Sequence, residues 1–377
     1  MIRRVYRAAQ AVVGTALAGT GAAVLGGCEF FDYSAQGELQ LVAESPHQWT
    51  GVAVGRTGRV FVCYPRWGGA YEYAVEEIKG ERRIPYPNVE MNRWSPTDNP
   101  SERFVCVQSV TFDDAGDLWV LDTGNPEFRG VIPGAPKLVH IDLADNLVVS
   151  INPFDSALAL PHSYLNDVRV DRRRNFAYIT DSGAGGLIAL NLLTGVGRRV
   201  LDGHPSTLAD PNVIPVIDGR EWRDVRTGQV PQIHADGIAL DHEGRFLYWQ
   251  ALTGDTLYRI PTVLLRDFAT PHEQIAASVE VMGRTVVTDG MEIDRNGRIY
   301  FTSLENNSIV LRQPTGELYA LVDAHPQLDW PDSFAWGLNR WLYFTTAQIH
   351  EHAQFRPEGG APDEPYRLWR VGAPGGR

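Results

Sequence analysis

The chain has only three cysteines in 377 residues, and they form neither a CxxC pair nor a cluster with histidines. Structural zinc and iron–sulfur sites are built from such clusters, so neither is expected. No phosphate loop, dinucleotide fingerprint or nucleophile elbow is present. The glycine-rich DSGAGG at Asp181 to Gly186 sits inside a hairpin rather than ahead of a helix. Basic residues are in the minority: 34 Lys and Arg against 46 Asp and Glu leave a formal charge of −12. That field argues against nucleic acid or an anionic membrane surface as a partner and suits neutral or cationic small molecules, or divalent cations. The same acidity also serves solubility, whatever the ligand.

Long runs of large apolar residues are missing as well. The nearest candidate, residues 1–28, reads MIRRVYRAAQAVVGTALAGTGAAVLGGC. It is too rich in glycine and alanine for a convincing membrane span and instead has the make-up of an export signal. It ends in Leu25-Gly26-Gly27-Cys28, which resembles the bacterial lipobox, in which the cysteine is acylated and becomes the new N-terminus. Residues 1–27 are therefore expected to be a cleaved lipoprotein signal, Cys28 the lipidation site and 28–37 a polar tether. Glu29 after the cysteine favours the periplasmic face of the outer membrane. Only the lipid would touch the membrane, and a monomer is expected. Loss of three arginines with the signal takes the charge from −12 to −15 on the same counting.

What the chain does have is a repeated hairpin. ADGIALDHEGRFLYWQALTGDTLYRIPT, Ala235 to Thr262, alternates apolar and polar residues around His242-Glu243-Gly244-Arg245, then turns again at Leu252 to Asp255, where Gly254 offers a positive φ. Looser copies align on the buried position of Ile238, which is held by Val52, Val110, Val168, Met291 and Phe334 at intervals of 43 to 70 residues. One unit cannot bury its own faces, so copies must stack. The fold class is all-β, a six-bladed β-propeller over residues 38–377. Strand 38–44 is expected to close the last blade beside 366–371 and so remove an exposed edge. The longest interval holds an extended loop, Pro205 to Pro231, suited to contacts with a partner.

In a propeller the first strand of each blade lines the central channel. Two residues before each anchor stand Thr50, Gln108, Asn166, Asp236, Asp289 and Asp332. All are polar and should ring one mouth of the channel as a ligand-binding set. Asn166, Asp236 and Asp289 offer hard oxygen donors for Ca²⁺ or another divalent cation. Asp-Gly and Asn-Asp before a strand also serve as turn devices, which is the competing reading. Asp122, Asp181 and Asp255 recur after the second strand and are read as turn formers, and Asp113, Asp171, Asp241 and Asp294 as hairpin residues. His162 and His234 lie on loops leading to the same mouth, where neutral imidazole could act as a base. Loop histidines also serve plain packing. Cys63 and Cys106 could form a disulfide between the first blade and the second, or remain buried thiols.

Several of these pieces occur in a familiar order: LWVLDTG at Leu118 to Gly124, LND at Leu165 to Asp167, YITDSG at Tyr178 to Gly183, DGIAL at Asp236 to Leu240, LYRIPT at Leu257 to Thr262 and LDWPDS at Leu328 to Ser333. Together, over about residues 45 to 350, they resemble the major royal jelly protein/yellow family. The resemblance implies a six-bladed propeller, secretion and a small ligand in the central channel. Some insect relatives bind biogenic amines, and others are credited with dopachrome tautomerisation. More remotely, the repeated Asp-Gly resembles the senescence marker protein/gluconolactonase propellers, in which an axial divalent ion polarises a lactone or activates water. Asn166 and either Asp236 or Asp289 would match their ion ligands. The glutamate expected in the first blade is replaced by Thr50, with Glu44 earlier in the chain, and that departure counts against lactonase activity. Ligand binding is thus the leading expectation, followed by a metal-assisted lactonase or tautomerase, then an interaction scaffold.

Overall fold

The computed structural model describes residues 37–68, 71–356, 360, 362 and 365–376. The lipobox and most of the tether lie outside the described residues. Six four-stranded antiparallel sheets follow one another along the chain. Their innermost strands are Val52–Val54, Val107–Phe112, Leu165–Asp171, Ala235–Leu240, Thr288–Ile293 and Pro331–Trp336, which define blades one to six. Each innermost strand touches the next, and the sixth touches the first, so the ring is closed. Leu39–Ser45 pairs antiparallel with Tyr366–Gly372 as the outermost strand of blade six.

The apolar core is divided by this geometry. A sheet buried on both faces reads as a continuous apolar run, and the second strands fit: VFVC, LWVLD and FAYITD are buried throughout. Six clusters fill the six seams between neighbouring blades, from Phe61, Val75 and Phe104 against Val110 and Val120 round to Val52 and Val62 against Ala335 and Leu368. A seventh, with Ile217, Trp222, Leu304 and Trp330, lies under the loops at one end.

Local chemistry explains the hairpins. Asp113 Oδ1 accepts from the amides of Ala115, Gly116 and Asp117, Asp241 Oδ1 from Arg245 and Phe246, and Asp294 Oδ1 from Asn296 and Arg298. These are the turn roles expected of such side chains. Asp122 and Asp181 do more than shape turns. Both are fully buried, and each pairs with a buried cation, Lys137 at 2.8 Å and Arg199 at 2.7 Å. Gly254 is not in the left-handed region, contrary to expectation. Its carbonyl accepts from Gln250 Nε2 at 3.1 Å, so the bend is held by a side chain.

Cys63 and Cys106 are free, buried thiols, which removes the disulfide. Cys63 Sγ donates to the carbonyl of Gln108 at 3.3 Å, and Cys106 Sγ lies 3.9 Å from Tyr164 Oη. Each is committed to a different neighbour in the seams.

Candidate functional site

In five blades the innermost strand carries a register shift at the polar lead residue: between Val107 and Ser109, Leu165 and Val168, Ala235 and Ile238, Thr288 and Met291, and Pro331 and Phe334. Such a bulge breaks the alternation of side chains and re-aims the extra residue. It also frees backbone amides from the ladder. Second-strand hydroxyls take these up: Thr180 Oγ1 accepts from Asp167 N at 3.2 Å, Thr302 Oγ1 from Asp289 N and Gly290 N at 3.2 and 2.9 Å, and Thr345 Oγ1 from Ser333 N at 3.3 Å. The repeated Asp-Gly is therefore a strand feature rather than a turn. A Cβ on Gly290 would lie 2.0 Å from the carbonyl oxygen of Asp332, and one on Gly237 2.6 Å from that of Asp289. Only glycine allows neighbouring innermost strands to approach this closely.

All six expected residues are buried. The structure joins four of them, with help the sequence did not single out. Trp67 Nε1 donates to Tyr164 Oη at 2.6 Å, Tyr164 Oη to Gln108 Oε1 at 2.8 Å, Gln108 Nε2 to Asn166 Oδ1 at 3.3 Å and Asn166 Nδ2 to Asp236 Oδ2 at 2.7 Å. Indole nitrogen can only donate, so the chain runs one way and fixes both amide orientations. Asp236 adjoins Asp289, whose Oδ2 accepts from Trp330 Nε1 at 2.7 Å. Two adjoining buried carboxyls resist ionising together. Asp332 is held by Ser333 Oγ at 2.9 Å. Thr50 is different: its hydroxyl donates to the Gln108 carbonyl at 3.0 Å and ties blade one to blade two.

Electrostatics follow from this crowding. Burial pushes Asp289 up to about 7, with Asp167 adding to the rise and Trp330 opposing it. Burial first, then repulsion from Asp289 and Asp167, raises Asp236 and Asp332 well above the ordinary carboxylate value. Asp167, the middle residue's neighbour in LND, is raised by burial and lowered by Arg169. It is a member of the site that strict alternation would have turned away.

Neither histidine joins this group. His162 is exposed. His234 accepts the Ala209 amide on Nδ1 at 3.0 Å and is held below its ordinary value by burial. Its ring packs beside Gly185. Glu44 is also remote: it is exposed on the outermost strand of blade six, 3.3 Å from Arg367. The glutamate of the lactonase ion site thus has no counterpart at Thr50. For a divalent ion the donor types fit, since every member offers oxygen, but the present orientation turns the Asn166 nitrogen toward Asp236. Among the described residues, groups of three or more His, Cys, Asp or Glu ligand atoms within 4.8 Å occur elsewhere, at Asp218/Asp329/His350/Glu351 and Asp113/Asp117/His140.

Aromatic rings border the same network. Trp67 stacks on the exposed Phe128 at 5.6 Å, and Phe128 lies 4.8 Å from Tyr164. At the other end of the channel is a cavity of about 510 Å³, whose lining includes Arg169 and Glu292.

These features define a six-bladed propeller with an acidic axial site. The family model for major royal jelly proteins matches residues 105–326, and the chain belongs to that family. It is 23% identical over 273 residues to protein yellow of Drosophila guanche, covering 67% of this chain and 46% of that protein. With protein yellow of Drosophila melanogaster it shares 24% over 229 residues, 55% of this chain and 40% of the relative. The chain thus spans less than half the length of these curated relatives. Among solved structures it is similar to a gluconolactonase from Xanthomonas campestris (TM-score 0.55, 12% identity, 91% and 93% of the two chains). It is also similar to virginiamycin B lyase of Staphylococcus aureus (TM-score 0.51, 12% identity, 89% and 99%). At such identities the likeness is one of fold.

Proposed function

We propose that this chain is an exported, lipid-anchored propeller that binds a small cationic ligand at the axial mouth, its positive group against Asp236, Asp289 and Asp332. One observation carries the reading: three buried, proton-retaining carboxyls crowd together, and none of them is ion-paired with a cationic side chain among the described residues. A site of this kind draws in a cation when its proton leaves. Trp67 and Phe128 provide flat apolar surface at the far end of the hydrogen-bonded chain that leads to Asp236, which favours an organic ammonium ion carrying a ring over a bare metal ion.

A thermal-shift series on the full chain tests this, using aralkylamines, their neutral alcohol counterparts and Ca²⁺, Mg²⁺ and Zn²⁺ salts. Amines should raise Tm, more at pH 8 than at pH 5, and lose the effect in Asp236→Asn and Asp289→Asn. A response to divalent ions alone would replace the amine by an ion. No response to either would end the proposal. Lipid anchoring through Cys28 predicts that Cys28→Ser moves the protein from the membrane fraction to the soluble one.

A second reading is an enzyme, a lactonase or tautomerase. It draws on Asp289, whose proton affinity near neutrality suits a general acid or base. Lactone or dopachrome turnover that disappears in Asp289→Asn would support it.

A further inference from the structure

Away from the axis, Asp218, Asp329, His350 and Glu351 come together from three separate connections. His350 Nε2 lies 2.9 Å from Asp218 Oδ2, 3.1 Å from Glu351 Oε1 and 3.2 Å from Asp329 Oδ1. One imidazole N–H serves one acceptor well, and here it meets Asp218. Asp329 Oδ1 is buried from solvent and, beyond the His350 Nε2 it shares with Asp218 and Glu351, meets no donor among the described residues. Acceptors crowded round a single N–H are costly unless a further cation joins them. The spacing is informative too. Atoms bound at ~2.1 Å to one ion and ~90° apart stand about 3.0 Å from each other; the three distances from His350 Nε2 match this, and all four ligand atoms lie within 4.8 Å of one another.

The other such cluster behaves differently. In Asp113/Asp117/His140, Asp113 already receives three backbone amides and Trp119 Nε1, and its oxygens are occupied.

The geometry points to a divalent transition-metal site, of the Zn²⁺ or Mn²⁺ kind, held by Asp218, Asp329, His350 and Glu351. The imidazole selects against Ca²⁺ and Mg²⁺. Three carboxylates with Arg356 beside Glu351 leave a net negative charge suited to a divalent ion. A cavity of about 20 Å³, lined in part by Asp218, Trp222 and His350, has room for one water as a further ligand. Asp218 sits between the short paired strands Val216–Ile217 and Arg220–Glu221 of the long insertion, Asp329 on the connection into blade six, and His350 and Glu351 on the loop after its second strand. One ion would therefore pin three loops. His350 stacks on Trp330 at 5.7 Å and 9°, and Trp330 donates to Asp289, so the ion would also set the position of an axial donor.

The test uses the full chain stripped with chelator and titrated with MnCl₂ and ZnCl₂, read by calorimetry and by the fluorescence of the tryptophans. One tightly bound ion per chain is expected, with Tm raised. Asp218→Asn and Asp329→Asn, which keep side-chain shape, should each weaken binding at least 10-fold, while Asp236→Asn at the axis should leave it unchanged. Absence of binding in the unaltered chain overturns the proposal. So does binding that survives both loop variants, or that is lost in Asp236→Asn instead.

Discussion

At the residue scale, two neighbours in blade five show how tightly side-chain identity is constrained. A methyl on Gly290 would meet backbone, the Asp332 carbonyl at 2.0 Å, which cannot step aside as a flexible side chain can. Gly290→Ala should cost ~2–4 kcal/mol in urea unfolding, whereas Gly254→Ala, with its nearest neighbour at 3.3 Å, should cost far less. Asp289 makes a pH prediction. Its folded value of about 7 stands above the unfolded carboxylate value of ~3.9, so the folded state binds more protons between them. Its contribution to stability is present in acid and is lost as pH rises from ~4 through about 7. In Asp289→Asn that loss should vanish, so the variant's Tm relative to the native chain climbs across pH 4.5 to 8; a constant difference would refute the assignment. The six lead positions were legible because they recur in register. Asp167, Tyr164, Trp67 and Trp330 were not, since no period marks them and only a bulge or a loop brings them to the axis.

At the element scale, the bulged innermost strand is the repeating device, and its partner hydroxyl is its support. Thr302 accepts two freed amides, so Thr302→Val leaves both unsatisfied in a buried place. A loss of about 1–3 kcal/mol follows, largely restored by Thr302→Ser, and equal loss in both variants would contradict the role. The sequence carried a trace of this: Thr180, Thr302 and Thr345 fall at one position of the second strand, and blade one puts Cys63 there. The thiol does a similar job, donating to the Gln108 carbonyl. The Asp-Gly pairs read equally well as turns, because local sequence cannot show that a neighbouring strand's carbonyl stands where a Cβ would need to go.

At the scale of the whole molecule, closure decides stability. Leu39–Ser45 joins the start of the described chain to its last long strand, so the ring is fastened by hydrogen bonds between segments that are distant in sequence. Deleting residues 38–45 should expose the Tyr366–Gly372 edge, lower Tm sharply and promote aggregation, as light scattering would show; an unchanged melt would mean that the seams alone hold the wheel. By itself the sequence determined the all-β class, the number of blades and the polar residue leading each innermost strand, because alternation and repetition are local and periodic. Only the tertiary structure decided that Asp236 and Asp289 crowd together, that Cys63 and Cys106 stay apart and that His350 meets Asp218 from 132 positions away. Those outcomes depend on through-space distances between bulges and aperiodic loops, and distance across a ring leaves no period in the chain.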